Sequence, residues 1–124
     1  MRVLIDTHLL LWALGDPRRL SKTARGRIDD GEVYVSAASI WEISIKAALG
    51  KLDVDPLLIV AAVSPAGFNS LAISAAHAAH VHALPGLHRD PFDRLLIAQA
   101  QQESMVLLTN DEALAAYGAA VAVV

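Results

Sequence analysis

Short apolar runs alternate with longer amphipathic stretches along this chain, and polar residues mark almost every change between them. Arg2-Val3-Leu4-Ile5 predicts a buried strand that stops at Asp6-Thr7-His8, after which Leu9 to Leu14 reads as the first turns of a helix. Gly15-Asp16-Pro17 breaks the chain, and Ser21 caps a polar, basic helix running to about Asp30-Gly31. Val33 to Ser36 predicts a second strand. Ser39 to Leu49 then predicts a helix closed by Gly50, and Pro56 opens a short apolar helix to Val63 that Ser64-Pro65-Ala66-Gly67 ends.

Leu71-Ala72-Ile73 predicts a third strand, weakly marked because it is so short. Ser74 caps an alanine-rich helix that carries His77, His80 and His82 and fails by Pro85-Gly86. The strongest local signal follows, in His88-Arg89-Asp90-Pro91-Phe92-Asp93-Arg94-Leu95-Leu96-Ile97-Ala98-Gln99-Ala100. Asp90 is placed as an N-cap, Pro91 has the fixed φ suited to the first helical position, and Asp93 stands where a capping-box acid would. Asp93, Ile97 and Ala100 share one face of that helix, so Asp93 lies among residues that should be buried. Met105 to Thr109 predicts a further buried strand, Thr109-Asn110-Asp111-Glu112 leads into a helix through Tyr117 and Gly118, and Ala119 to Val124 predicts a last, edge strand.

Alternating strands and helices predict an α/β fold of three layers, α/β/α, around a mostly parallel sheet, with residues 1–124 as a single domain. A length of 124 residues allows one real core, and 55% hydrophobic against 19% charged residues excludes a disordered chain. No apolar run approaches the ~20 residues of a membrane span, and the N-terminus lacks a signal-peptide core. The expectation is a soluble, cytoplasmic protein. The helices near the N-terminus and from Pro56 to Val63 hold more apolar face than one small core needs, which points to a protein partner.

The absence of cysteine excludes disulfides and thiolate metal sites. The formal net charge of −3 is unusual for a chain that holds nucleic acid by charge alone, so any such role needs cations or a local basic patch. Arg18, Arg19, Lys22, Arg25 and Arg27 form the one basic cluster, most simply a solvated helix face. The His77, His80 and His82 spacing invites a zinc reading, but His80 and His82 cannot share a helical face and no acid lies close by in sequence; a structural or partner-facing role is favoured.

The acids carry more. Asp6 and Asp111 each follow a buried strand and emerge on one sheet edge if those strands are parallel, and Asp93 opens a helix that begins on that same edge. Glu42 lies one turn into the helix after the second strand, where an i,i+4 pair with Lys46 is the competing explanation. Four carboxylates brought together beside the hydroxyls of Thr7, Ser39 and Thr109 make a hard-oxygen site suited to Mg²⁺ or Mn²⁺ and to phosphoryl chemistry. The cations also screen the acids from a phosphate backbone.

Four segments in order, Val3-Leu4-Ile5-Asp6-Thr7-His8, Ser39-Ile40-Trp41-Glu42-Ile43, the stretch from His88 to Ala100 and Leu108-Thr109-Asn110-Asp111, resemble the PIN domain family, specifically its VapC-type toxins of bacterial toxin–antitoxin pairs. The resemblance covers essentially the whole chain and implies a PIN-like α/β/α domain. It further implies an endoribonuclease that needs Mg²⁺ or Mn²⁺, cleaves structured RNA such as transfer or ribosomal RNA, and leaves a 5′-phosphate. A homodimer and an antitoxin whose tail covers the active site are implied as partners. Position by position, Asp6, Glu42 and Asp93 match the family's central catalytic and metal-binding acids, Asp111 matches a more variable fourth, and Thr7 and Thr109 match residues that orient them. Asp90, one turn from Asp93, is a further candidate ligand, although an acid followed by Leu-Ile-Ala fits Asp93 better. Asn110 stands where related sequences often carry a basic residue.

Two other readings compete. A regulatory or partner-binding module with a receiver-like acidic pocket needs a phosphoacceptor acid after a central strand and a Lys after a later one, whereas the second strand ends at Ser36 and no Lys follows Lys51. A dehalogenase-type phosphatase with Asp6 as nucleophile needs an acid two residues on, where this chain has His8.

Overall fold

A computed structural model describes all residues, Met1–Val124. Five strands, β1 (Arg2–Ile5), β2 (Glu32–Ser36), β3 (Asn69–Leu71), β4 (Val106–Thr109) and β5 (Val121–Val123), form one sheet in the order β3-β2-β1-β4-β5. All four pairings are parallel, with Val3 opposite Val33 on one side and Val106 on the other. The helices are α1 (Thr7–Gly15), α2 (Lys22–Asp30), α3 (Ala37–Ala48), α4 (Pro56–Val63), α5 (Ala75–His80) and α6 (Pro91–Gln102).

Parallel strands covered on both faces need apolar side chains at successive positions, as β1 and β4 have. Because successive side chains point to opposite faces, Val3 and Ile5 join Leu9, Leu10, Val33, Val35 and Ile43 in one core. Leu4 and Leu107 join Leu96, Ile97, Ala100 and Leu114 in a second core on the other side. The single core expected from the length is thus divided by the sheet into two, one on each face, because both faces of a parallel sheet are covered, and three layers follow.

The second core also holds a polar group. Gln99 in α6 is fully buried; its Oε1 accepts from the Ser36 hydroxyl, and its Nε2 donates to the Ala72 carbonyl and to His77 Nδ1, each at 3.3 Å. His77 Nδ1 also accepts from the Ser74 amide at 3.0 Å, closing a capping box at the start of α5. Its Nε2 faces Glu103 at 3.5 Å, while His80 bonds Gln101 at 2.7 Å, so both histidines are engaged with side chains of α6 and its end.

Several boundaries differ from the sequence expectation. The third strand is Asn69–Leu71 rather than Leu71–Ile73, because pairing with β2 places Asn69 opposite Tyr34 and Leu71 opposite Ser36, and Gln99 takes the Ala72 carbonyl instead. α3 begins at Ala37, with the Ser36 hydroxyl accepting from the Ala38 amide, so the cap lies three residues before Ser39. The segment after Asp111 is a 3₁₀ helix, Glu112–Tyr117; its buried residues Leu114 and Tyr117 are three apart, the spacing that a three-residue turn stacks on one face. α5 stops at His80 and a 3₁₀ turn, Val81–Ala83, carries His82. The basic cluster divides between the 3₁₀ turn Pro17–Arg19 and α2.

On α4, Leu57, Leu58 and Val60 are exposed, as is Trp41 on the neighbouring α3. No helix is long and apolar enough to cross a membrane.

Candidate active site

The parallel sheet delivers β1 and β4 to one edge, and each ends in a residue that starts the next turn. Asp6 follows β1 and caps α1: its Oδ1 accepts from the Leu9 amide at 2.8 Å, so its second oxygen is fixed by the same geometry. The Thr109 hydroxyl at the end of β4 donates to that Oδ2 at 2.6 Å and accepts from the Asp111 amide at 3.0 Å. Thr109 thus ties together the two acids that the central strands present.

Glu42 is buried on α3. The Thr7 hydroxyl donates to its Oε1 at 2.7 Å and lies 3.0 Å from the Ser39 hydroxyl, while the Lys46 ammonium pairs with Oε2 at 2.7 Å. Glu42 makes the i,i+4 pair with Lys46 expected as one explanation of it, and it also lines the acidic pocket.

Asp90 caps α6 by accepting from the amides of Phe92 and Asp93 with one oxygen, Oδ1. Asp93 in the first turn accepts a hydrogen bond from His88 Nε2 at 3.0 Å through Oδ2. Arg94 anchors this end of the helix, donating to the carbonyls of Val81, Leu84 and Pro85 and to the Tyr117 hydroxyl.

These side chains face one cavity of about 300 Å³, lined by Asp6, Thr7, Glu42, Lys46, His88, Asp90, Asp93 and Asp111 together with His8 and Asn110. Ser39 stands behind it, buried against Thr7. Ligand atoms of His88, Asp93 and Asp111 lie within 4.8 Å of one another. His88 is the residue that sequence reasoning left out of the candidate set. It sits in an irregular loop where no periodicity assigns it a face, and its one signal is its place just before the Asp90-Pro91 helix start.

Five carboxylates with one paired lysine leave the cavity with uncompensated negative charge. Burial raises the Asp6 carboxyl above its ordinary range even though the Thr109 hydroxyl and Leu9 amide oppose the change. Burial and then the Asp90 charge push Asp93 up to about 6, against the His88 hydrogen bond. The Glu42 carboxylate in turn raises the Lys46 ammonium. Carboxylates held by hydroxyls and lining a common cavity are a donor set suited to a hard divalent cation, whose charge would favour the ionised acids against the burial and the smaller repulsion that raise the Asp6 and Asp93 carboxyls.

The PIN domain sequence model matches residues 3–120. This chain belongs to the PIN domain family. Within that family it is 31% identical over 115 residues to Ribonuclease VapC22 of Mycobacterium tuberculosis, covering 90% of this chain and 88% of the relative, which marks it as a VapC-type PIN domain. Solved PIN folds agree in architecture. VapBC from Salmonella typhimurium, bound to DNA, superposes with a TM-score of 0.72 at 16% identity over 98% of this chain and 97% of that one. VapBC2 from Rickettsia felis, bound to a promoter DNA fragment, gives 0.71 at 15% identity over 94% and 93%. FitAcB from Neisseria gonorrhoeae gives 0.67 at 20% identity over 96% and 95%.

Proposed function

We propose that this PIN domain is a Mg²⁺- or Mn²⁺-dependent endoribonuclease, the toxin of a cytoplasmic toxin–antitoxin pair, in which Asp6, Glu42, Asp93 and Asp111 hold the cation. The observation that carries the reading is the acidic cavity itself: carboxylates from four separate elements line it, and the Lys46 ammonium offsets only one of their charges. The 31% identical relative is a ribonuclease by name, which supports RNA as the substrate class.

In this reading the chain divides its work. Asp6, Glu42, Asp93 and Asp111 supply ligand oxygens, with Asp90 holding the helix start and adding charge. Thr7, Ser39 and Thr109 fix the carboxylates in the orientation they need before any ligand arrives, which avoids reorganisation cost during reaction. A divalent cation bound there supplies activation of water and stabilisation of charge on the phosphoryl group. Lys46, held on Glu42, keeps one cation at the cavity wall. His88 positions Asp93.

The exposed apolar residues of α4 and Trp41 support a protein-binding face for an antitoxin, since they are more than single scattered surface apolar residues. A structural relative from Klebsiella pneumoniae that is by name a toxin–antitoxin complex supports the same partner class, and a homodimer of 124-residue PIN domains cleaving transfer or ribosomal RNA completes the proposal.

The test is cleavage of a total-RNA pool by the purified protein with EDTA, Mg²⁺ or Mn²⁺, beside Asp93→Asn. Discrete fragments that need the cation and vanish in the variant are the expected result. Full activity of Asp93→Asn, or fragments that persist in EDTA, would contradict the assignment.

A further inference from the structure

Beside the acidic cavity lies a second one of about 550 Å³, lined by His8, Trp12, Arg19, Asn110 and Asp111. Three of those residues, His8, Asn110 and Asp111, also line the acidic cavity, so the two adjoin. The chemistry changes across that junction from carboxylates to rings and a guanidinium. His8 and Trp12, one turn apart on α1, have ring centroids 6.2 Å apart, and the Arg19 guanidinium lies over the indole at 5.0 Å from its centroid.

Arg19 is not held by an acid. Its neighbour Arg18 pairs with Asp16 at 3.6 Å, whereas Arg19 forms no ion pair and is exposed, its position set by the indole beneath it. A guanidinium stacked on an aromatic ring keeps its N–H donors free at its edge and its outer face free for a further planar group. A polyanion approaching a cavity with five carboxylates needs a fixed cation close by, and this one lines the adjoining cavity. The volume falls within the range of sites for small organic groups.

Resting on the ribonuclease reading above, we infer that the His8–Trp12–Arg19 cavity holds an unpaired nucleotide next to the scissile phosphate, its base against the rings and its phosphate at Arg19. The nucleotide held there is unpaired because a base inside a duplex cannot reach these rings. Stacking tolerates any base, so the subsite selects strandedness more strongly than sequence.

The sequence contains two tryptophans, and Trp41 lies on α3, so Trp41→Phe makes Trp12 the sole indole reporter. Its emission is followed by stopped flow in Mg²⁺, before turnover, on mixing with a labelled single-stranded oligoribonucleotide of about 12 nucleotides. An abasic oligomer of equal length is the second probe, and the label's anisotropy reports binding independently of Trp12. The inference expects quenching of Trp12 by the oligoribonucleotide and none by the abasic oligomer. Arg19→Glu, in the same background, weakens binding by about tenfold and lowers the salt slope by about one, while Arg19→Lys falls between. Binding with unchanged Trp12 emission and unchanged affinity in Arg19→Glu overturns the subsite and leaves the ribonuclease reading standing. Anisotropy that stays flat for every protein and every RNA contradicts the ribonuclease reading itself.

Discussion

The two ends of α6 carry polar side chains into the same protein with opposite outcomes. Gln99, near its C-terminal half, is fully buried, and its three partners, Ser36, Ala72 and His77, use both its donor and its acceptor. Asp93, in its first turn, is only partly buried and its side chain has one hydrogen bond, from His88, while burial and then the neighbouring Asp90 carboxylate raise its pKa. The Gln99 cluster leaves no buried side-chain polar atom without a partner. The Asp93 cluster faces an open cavity shared with four other carboxylates, and the proposed cation would balance its charge. Buried polar groups alone therefore do not mark a site; unneutralised charge facing a cavity does.

That contrast can be broken most sharply at the charged end. Asp6→Asn removes a ligand oxygen while leaving the cap on α1 available to the amide carbonyl; RNA cleavage should fall by about 10³-fold, the scale of losing a preorganised electrostatic group. Circular dichroism should show the variant folded. At the neutral end, Gln99→Leu strands the Ser36 hydroxyl and the Ala72 carbonyl. A cost of about 2–3 kcal/mol in urea unfolding is expected, with cleavage per folded molecule unchanged.

Asp93→Asn should move stability the other way. The Asp93 pKa is raised from 3.8 to about 6, so the folded state disfavours the ionised form. This penalty is absent below about pH 4, grows between pH 4 and 6, and is fully present above pH 6. In EDTA the wild type should therefore lose stability across that window, and Asp93→Asn should be more stable than wild type at pH 7 by about 1–2 kcal/mol once solvent screening of a partly exposed group is allowed for. The difference should vanish near pH 3.5. A smaller effect is expected at Lys46, whose ammonium is partly exposed: Lys46→Ala removes the one cation paired in the cavity and should tighten Mn²⁺ binding by about threefold, read by calorimetry.

Much of this contrast was legible in the chain. The N-cap at Asp90, Pro91 at the first helical position and the acid three residues after the cap specify α6 locally, and they also bring Asp93 to the sheet edge. β1 ending at Asp6 is equally local, because an apolar run meets a capping residue. What escaped depends on pairing across the fold. β3 is polar and exposed at Asn69 and Ser70, so its existence rests on the ladder with β2 rather than on its own side chains. His88 joins the cavity through a loop with no periodicity, and the Gln99 cluster assembles residues from β2, the loop before α5, α5 and α6. The Arg19–Trp12 stack likewise joins two elements separated by the break at Gly15-Asp16-Pro17, so a run of basic residues in sequence does not show which one faces the cavity.

The most direct test of the account is calorimetric titration of Mn²⁺ into the purified wild type and Asp93→Asn at pH 7. Saturable binding by the wild type is expected, with affinity at least about tenfold weaker in the variant, which lacks one proposed ligand oxygen and its charge. Equal affinity in the two proteins, or no binding by the wild type, would contradict the claim that the open end of α6 is built around a cation.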